Sequence, residues 1–449
     1  MLYGLKHQSV LKFCTLVCFN LLFGFSGSAL AGQNESPQTT FPWVDLVKGE
    51  AVQAPSRISN LDELIKIALS NNSLLKAEYA AWQMGLEAVE AIITLPDPSL
   101  SMGYFVEPVE TAQGPQKLKL SLGQSIPWPS KTSARNQAGS AAAERSFEEL
   151  SDAKLRLVRD LRLLWIELAH SQQSIHLNEE KLKLAKDLEA VHRNNYASGS
   201  IAHFKFSSVQ IQTLTLADHL ENLREQHFRT ILKIESLLEL DHPLPGTFFP
   251  ENIAISNPLM FNTEEEAKHP RLGVLEKYLE QTGAEEQLAK AEFLPDWRIG
   301  IDYIITDKKI LNGVKVQDSG KNPIIASFGI SLPIWNFGNK RSALRSSQWK
   351  GRQIEEMQKQ EISELKKETG IATSLMKDKE RRFSLLETLL VPKAQEIVEV
   401  MEQTYVSQAT DIETYTRAKQ EYLDLKLQLI DALRAVETEK VKLAYLRGK

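Results

Sequence analysis

Two stretches of the chain change their apolar period from that of a strand to that of a helix. In the first, Leu118, Leu120 and Leu122 alternate with Lys117, Lys119, Ser121 and Gly123. One face is apolar and the other wet, the period-two mark of a half-buried strand. Pro127, Trp128 and Pro129 then form a corner, and beyond Lys131 the apolar residues recur at helical spacing. In the second, Ile324, Ala326, Phe328, Ile330 and Leu332 alternate with small or polar residues, Pro333 and Trp335 make the corner, and a helix is predicted from about Lys340. A chain that repeats such a device is built from two similar halves.

Residues 32–57 hold Pro37, Pro42 and Pro55 with little periodicity and read as an extended N-terminal arm. The first repeat spans 58–240. Its opening helix starts at Asn60, a plausible N-cap with Glu63 three residues on, and runs to about Ile93. The LPDP of Leu95–Pro98 stops it, because proline disfavours helix at itself and at the residue before. Strands are predicted over 97–107 and 117–126, joined by a polar turn from Pro108 to Gln116. A long helical hairpin follows over 131–240, with a seam of Leu157, Leu161, Leu164, Leu168, Ile175 and Leu182 and a break at Asn194–Ser200. As one helix, 135–194 would be about 90 Å long.

A Pro-rich linker occupies 241–261, and the second repeat, 262–449, restates the order. A helix over 263–292 precedes strands over 296–306 and 323–333, separated by a polar loop, and a second helical hairpin fills 338–446. LPDPSLSMGY (Leu95–Tyr104) lies on LPDWRIGIDY (Leu294–Tyr303), Ile126-Pro127 on Leu332-Pro333, and YASG (Tyr196–Gly199) on YVSQ (Tyr405–Gln408).

With 42% hydrophobic and 25% charged residues the chain is globular in composition. Its net charge of −5 and the lack of a basic patch argue against nucleic acid as a partner. Residues 1–31 read as a signal peptide: Lys6 and Lys12, an apolar core from Phe13 to Phe25, and small residues at Ala29 and Ala31. Both cysteines, Cys14 and Cys18, fall inside it, so the exported chain is expected to have no disulfide and no thiolate site. Gln33 stands where a lipoprotein would need cysteine, so no N-terminal lipid is expected.

Four amphipathic strands of about ten residues suit the thickness of a bilayer. Four strands cannot close, however, and an open edge in lipid leaves backbone groups unpaired at several kcal/mol each. Closure must come from association. Two copies give eight strands and a filled interior, and three give twelve and a pore, so a homotrimer is expected. A soluble hairpin packed on helices would show the same alternation. Against it stand the leader, the repeat, and aromatics near strand ends at Tyr104, Trp128, Trp297, Tyr303, Trp335 and Phe337, as in membrane girdles. Lys117, Lys119 and Asp302, on wet strand faces, are the pore-lining candidates. In the last helix Leu423, Leu427 and Ile430 form one stripe and Leu425, Leu429 and Leu433 another, as in a closed ring of helices.

Catalytic chemistry finds little support. Glu167/His170, Glu189/His192 and Glu266/His269 have the Glu-x-x-His spacing of di-iron carboxylate helices, but the further inward glutamates such a site needs are not evident. No HExxH, GxSxG, phosphate-binding or dinucleotide-binding motif occurs. No enzyme activity, metal site or cofactor is expected.

The corner QSIPWPSK (Gln124–Lys131), the preceding LPDP, and the YxxG at the helix break, all in duplicated order, resemble the TolC family of outer-membrane efflux channels across the whole mature chain. LPDPSLS and IPWP are most similar to its heavy-metal-efflux branch, the CzcC/CusC-like proteins. The resemblance implies a mostly α-helical chain with a membrane β-barrel: a trimer forming a twelve-stranded barrel and an α-helical periplasmic tunnel. It implies a passive conduit in the outer membrane of a Gram-negative bacterium, served by a periplasmic adaptor (membrane fusion protein) and an inner-membrane RND-type pump, with heavy-metal cations as a cargo class. The expected adaptor-contact tips are Tyr196, Gly199, Ser200, Tyr405, Gln408, Asp411 and Glu413. The second turn departs from the family pattern at Gln408. Lys205 and Thr414 stand where many members carry an acid. The competing reading is a periplasmic helical-hairpin structural or adaptor protein. A stand-alone porin or protein-secretion conduit would share the fold.

Overall fold

The computed structural model describes residues 41–49, 60–240, 244, 269–317, 319–407 and 409–449. The signal peptide, most of the 241–261 linker, Glu266 and Gln408 lie outside the described residues. The chain divides into two units, Met1–Asp45 and Leu46–Lys449.

The arm predicted as extended carries a short helix, α1 (Pro42–Lys48), with proline at its first position, where a missing N–H costs nothing. The helix predicted over 60–93 is two. α2 (Leu61–Asn71) starts as expected, Asn60 Oδ1 accepting from Glu63 N at 2.8 Å. Asn72 then leaves helical geometry and caps α3 (Ser73–Ile93), its Oδ1 accepting from Leu75 N at 3.1 Å. Two adjacent asparagines favour caps over helix interiors, and that local signal overrides the apolar period.

β1 (Ser99–Thr111) and β2 (Gly114–Ile126) make the first hairpin. The segment from Pro108 to Gln116, predicted as turn, is mostly strand. It crosses a register shift between Tyr104 and Val109 and turns tightly at Ala112-Gln113. Gly114, at φ +122°, permits that turn, and a Cβ there would collide with the carbonyl of Asp307.

α4 (Pro129–Ala197) is one unbroken helix and returns as α5 (His203–Leu238). Leu157, Leu161, Leu168 and Ile175 of the predicted seam are buried, each such side chain contributing about 2 kcal/mol. α6 (Pro270–Ala291) leads to β3 (Asp296–Thr306). A small hairpin, β4 (Ile310–Leu311) and β5 (Val314–Lys315), stands in the predicted loop, and β6 (Ile324–Ser331) follows. Asn312 and Gly313 turn that hairpin with φ of 48° and 78°. α7 (Phe337–Leu385) passes through a π turn, Leu386–Leu390, into α8 (Val391–Val406), and α9 (Ile412–Leu446) closes the described chain.

α4 is the spine. It packs on α3, α5, α6 and α9. Ile166 and Ala169 of α4 meet Val441 of α9 in a buried cluster flanked by Leu163, Ile430 and Leu433. Two of the Glu-x-x-His residues are spent here: Glu167 Oε2 accepts from Arg434 at 3.0 Å, and His170 Nε2 lies 2.7 Å from Asp431 Oδ1.

Candidate functional site

The four long strands form one antiparallel sheet in the order β1-β2-β3-β6. The hairpins were expected. The β2–β3 pairing joins the two repeats, setting Leu122 opposite Ile301 and Gly123 opposite Gly300.

Register sorts the side chains onto a mostly apolar and a mostly polar face. Leu100, Leu122, Ile301 and Ala326 form one transverse row, and Met102, Leu120, Tyr303 and Ile324 the next. On the other face Ser99, Gly123, Gly300 and Ser327 are aligned, followed by Ser101, Ser121, Asp302 and Ile325. The apolar face is open: Leu100, Met102, Tyr104, Val106, Ile324 and Phe328 are each more than 65% exposed. The wet face is closely set. A Cβ on Gly300 would lie 2.7 Å from Ser327 Oγ and 3.2 Å from the Leu122 carbonyl.

The three pore-lining candidates come together on the wet side. Lys119 Nζ is 2.9 Å from Asp302 Oδ2, and Lys117 pairs with Asp307 nearby. Each lysine is thus paired with one acid from the other repeat.

At the base of the sheet the first corner is packed. Pro127 and Trp128 turn the chain into α4, and Trp128 stacks edge-on against Trp297 at 5.1 Å. The buried Lys131 donates from Nζ to Asp296 Oδ1 at 2.9 Å, and the same oxygen accepts from Trp128 N at 3.1 Å. The second corner is bare. Pro333 turns the chain, but Trp335 is 89% exposed.

At the far end of the helical hairpins are two tips of like construction. Tyr196 stacks on Phe206 at 5.9 Å and Tyr405 on Tyr415 at 5.6 Å, both nearly parallel. Ser200 N donates to Asn195 O, and Ala409 N to Thr404 O, each at 2.8 Å. Gly199 reverses the first turn at φ +74° with open space around it. The tips differ in capping. Asp411 Oδ1 accepts from Thr414 N at 2.8 Å, whereas Ala202 offers α5 no side-chain cap. Bonding to the Thr414 side chain, then to its N–H, holds the Asp411 carboxyl below the usual range, and the charges of Arg417 and Lys205 lower it further. Asp411 is therefore a cap, with Glu413 beside it in the first turn of α9.

Among the described residues no cluster of three metal-ligating side chains occurs, and no helix is long and apolar enough to cross a membrane.

Residues 263–449, the second repeat, match the profile of the family described as Outer membrane efflux protein. No curated protein sequence matches the chain. Among solved structures it is similar to the outer membrane protein VceC of Vibrio cholerae, with 15% identity over 86% of this chain and 96% of that one and a TM-score of 0.69. The Campylobacter jejuni CmeC outer membrane channel matches with 14% identity over 87% and 85%, at 0.68. CusC matches with 15% identity over 88% and 95%, at 0.65. The chain has the fold of these outer-membrane channels, mostly helical with an antiparallel sheet. The likeness does not set CusC apart from the others, so it gives the heavy-metal branch no separate support.

Proposed function

We propose that the chain is one subunit of a homotrimeric outer-membrane efflux channel, a passive conduit from a periplasmic adaptor and an inner-membrane pump to the outside. The observation that carries this reading is the sheet. It has one mostly apolar face, one face of serine, glycine and paired charge with Ile304 and Ile325 among them, and two long edges without strand partners among the described residues. Such edges are untenable in lipid and are removed by closure. Three copies give twelve strands and a lumen lined by the wet face, and two would give a barrel filled by side chains.

The tips at Tyr196–Ser200 and Tyr405–Glu413 are the adaptor-contact surface in this reading. Asp411 and Lys205 there supply polar groups and the stacked rings hold the turns in shape. Heavy-metal cations as cargo rest on the LPDPSLS and IPWP resemblance alone.

Light scattering of the detergent-purified protein should give a trimer, and planar bilayers should show conductance that rises in steps. A monomer that fractionates with soluble periplasmic proteins supports the helical-hairpin adaptor reading instead. A deletion strain that becomes sensitive to metal cations but not to drugs supports the metal cargo. The converse pattern removes it.

A further inference from the structure

The repeat fixes more than the presence of free edges: it fixes how one edge meets the other. Moving 199 residues along from β1 and 206 along from β2 turns the first hairpin into the second. Ser99 opposite Gly123 becomes Arg298 opposite Gly329, and Tyr104 opposite Leu118 becomes Tyr303 opposite Ile324; both derived pairs are observed. β3 is thus the counterpart of β1, and β6 the counterpart of β2, residue for residue.

Within the chain β2 is covered by β3, with Ser121 opposite Asp302 and Gly123 opposite Gly300. Among the described residues β6 has no such cover, and neither does the outer edge of β1. The occupant of the β6 edge is therefore the counterpart of β3, namely β1 of a second copy. The geometry points to one register for that contact: Ser327 of β6 opposite Gly103 of the neighbouring copy, Gly329 opposite its Ser101, Ser331 opposite its Ser99. This inference rests on the assembly proposed above and gives that assembly its interface.

Two independent features agree with the register. It sets Ile330 opposite Leu100, Phe328 opposite Met102, Ala326 opposite Tyr104 and Ile324 opposite Val106, so the apolar face continues unbroken from copy to copy. A slip of one residue would put apolar side chains in the wet face throughout. The strand directions also fit. β6 runs opposite to β3, hence opposite to β1, so the new pair is antiparallel like the other three.

Cysteine pairs read this register directly. Two strands bring directly opposite residues within disulfide reach, while residues two along are too far apart. Ser327→Cys is combined in turn with Gly103→Cys, Ser101→Cys and Ser99→Cys in full-length protein in its membrane, oxidised with copper phenanthroline and run on denaturing gels. Single-cysteine chains report any contribution from Cys14 and Cys18. Ser121→Cys with Asp302→Cys, the equivalent pair inside one chain, is the positive control. A ladder of covalent dimer and trimer at least about fivefold stronger for Ser327/Gly103 than for the other pairs is expected. A maximum at Ser101 or Ser99 overturns the register. So does an oligomer in which the control forms and none of the three pairs does. If the protein is monomeric by light scattering, the assembly itself fails, and the register with it.

Discussion

Lys131 Nζ and Asp296 Oδ1 lie 2.9 Å apart across 165 residues of sequence, with the lysine side chain 4% exposed. This contact pins the first strand-to-helix corner to the start of the second repeat's sheet. Glu292 Oε2, at 3.8 Å, is the lysine's only other acidic neighbour among the described residues. Removing one member of a buried pair strands the other. Asp296→Ala is expected to cost about 2–3 kcal/mol, somewhat below a fully buried pair because the carboxylate is partly open. The melting temperature of the purified protein should fall accordingly. Lys131→Ala added to Asp296→Ala should cost much less than the sum of the two.

Gly300 sits where the wet face is tightest. Gly300→Ala pushes a methyl group toward Ser327 Oγ and the Leu122 carbonyl, at an expected cost of about 1–2 kcal/mol. Ser327→Ala in the same chain removes the nearer of the two contacts and should restore about half of the lost thermal stability. No recovery would mean that the backbone contact dominates.

Three histidines, His227 and His269 buried and His170 partly so, are expected to make the helical part acid-sensitive. Burial lowers the pKa of His170, and the Arg434 charge lowers it further, against the opposing bond to Asp431. Burial also lowers His227 and His269. A base whose folded pKa lies below its unfolded value stabilises the fold above the unfolded pKa and loses that contribution as pH falls through the folded one. Thermal stability should be flat above pH about 7 and decline from about 6.5 downward. His227→Asn, which keeps a polar partner for Ser171, should shallow that decline.

Glu149 behaves in the opposite sense. Burial, with Glu78 adding and Arg145 opposing, raises its pKa. Its folded form is favoured while protonated, so its contribution is full at low pH and is lost as pH rises through the folded pKa. Glu149→Gln should raise the melting temperature at pH 8 and leave it unchanged at pH 4. An equal gain at both would mean a packing effect.

The stacked rings at the tips should act as braces. Tyr405→Ala, and independently Tyr196→Ala, is expected to loosen its turn by about 1 kcal/mol. Hydrogen exchange should quicken over 404–416 or 195–207 and stay unchanged at the corners.

The strands and corners were legible because a sheet with one open apolar face keeps a period of two over most of its length and proline ends it abruptly. Leu118 to Leu122 and Ile324 to Leu332 carried that signal almost alone. The tips were legible as breaks in a long apolar seam. The β2–β3 contact was not, because nothing in Leu122 names Ile301 as its neighbour; only the closed account of backbone hydrogen bonds does. The division at Asn72 was missed because the apolar stripe runs straight through it. The Asn312-Gly313 hairpin was missed although its turn residues were in plain view, its strands being too short to show a period. The roles of Asp296 and Asp411 were hidden for another reason. Each works through one hydrogen-bond geometry, and sequence records only that an acid is present.

The strand order has one more consequence. A sheet that begins on β1 and ends on β6 has unlike borders, so in the ring proposed above copies join head to tail. Every partial assembly of that ring keeps one donor border and one acceptor border, and its growth halts only when the circle is complete. A copy lacking β6 would still accept a neighbour on one side while offering none on the other. In a cell making both forms, such a copy would poison whole rings.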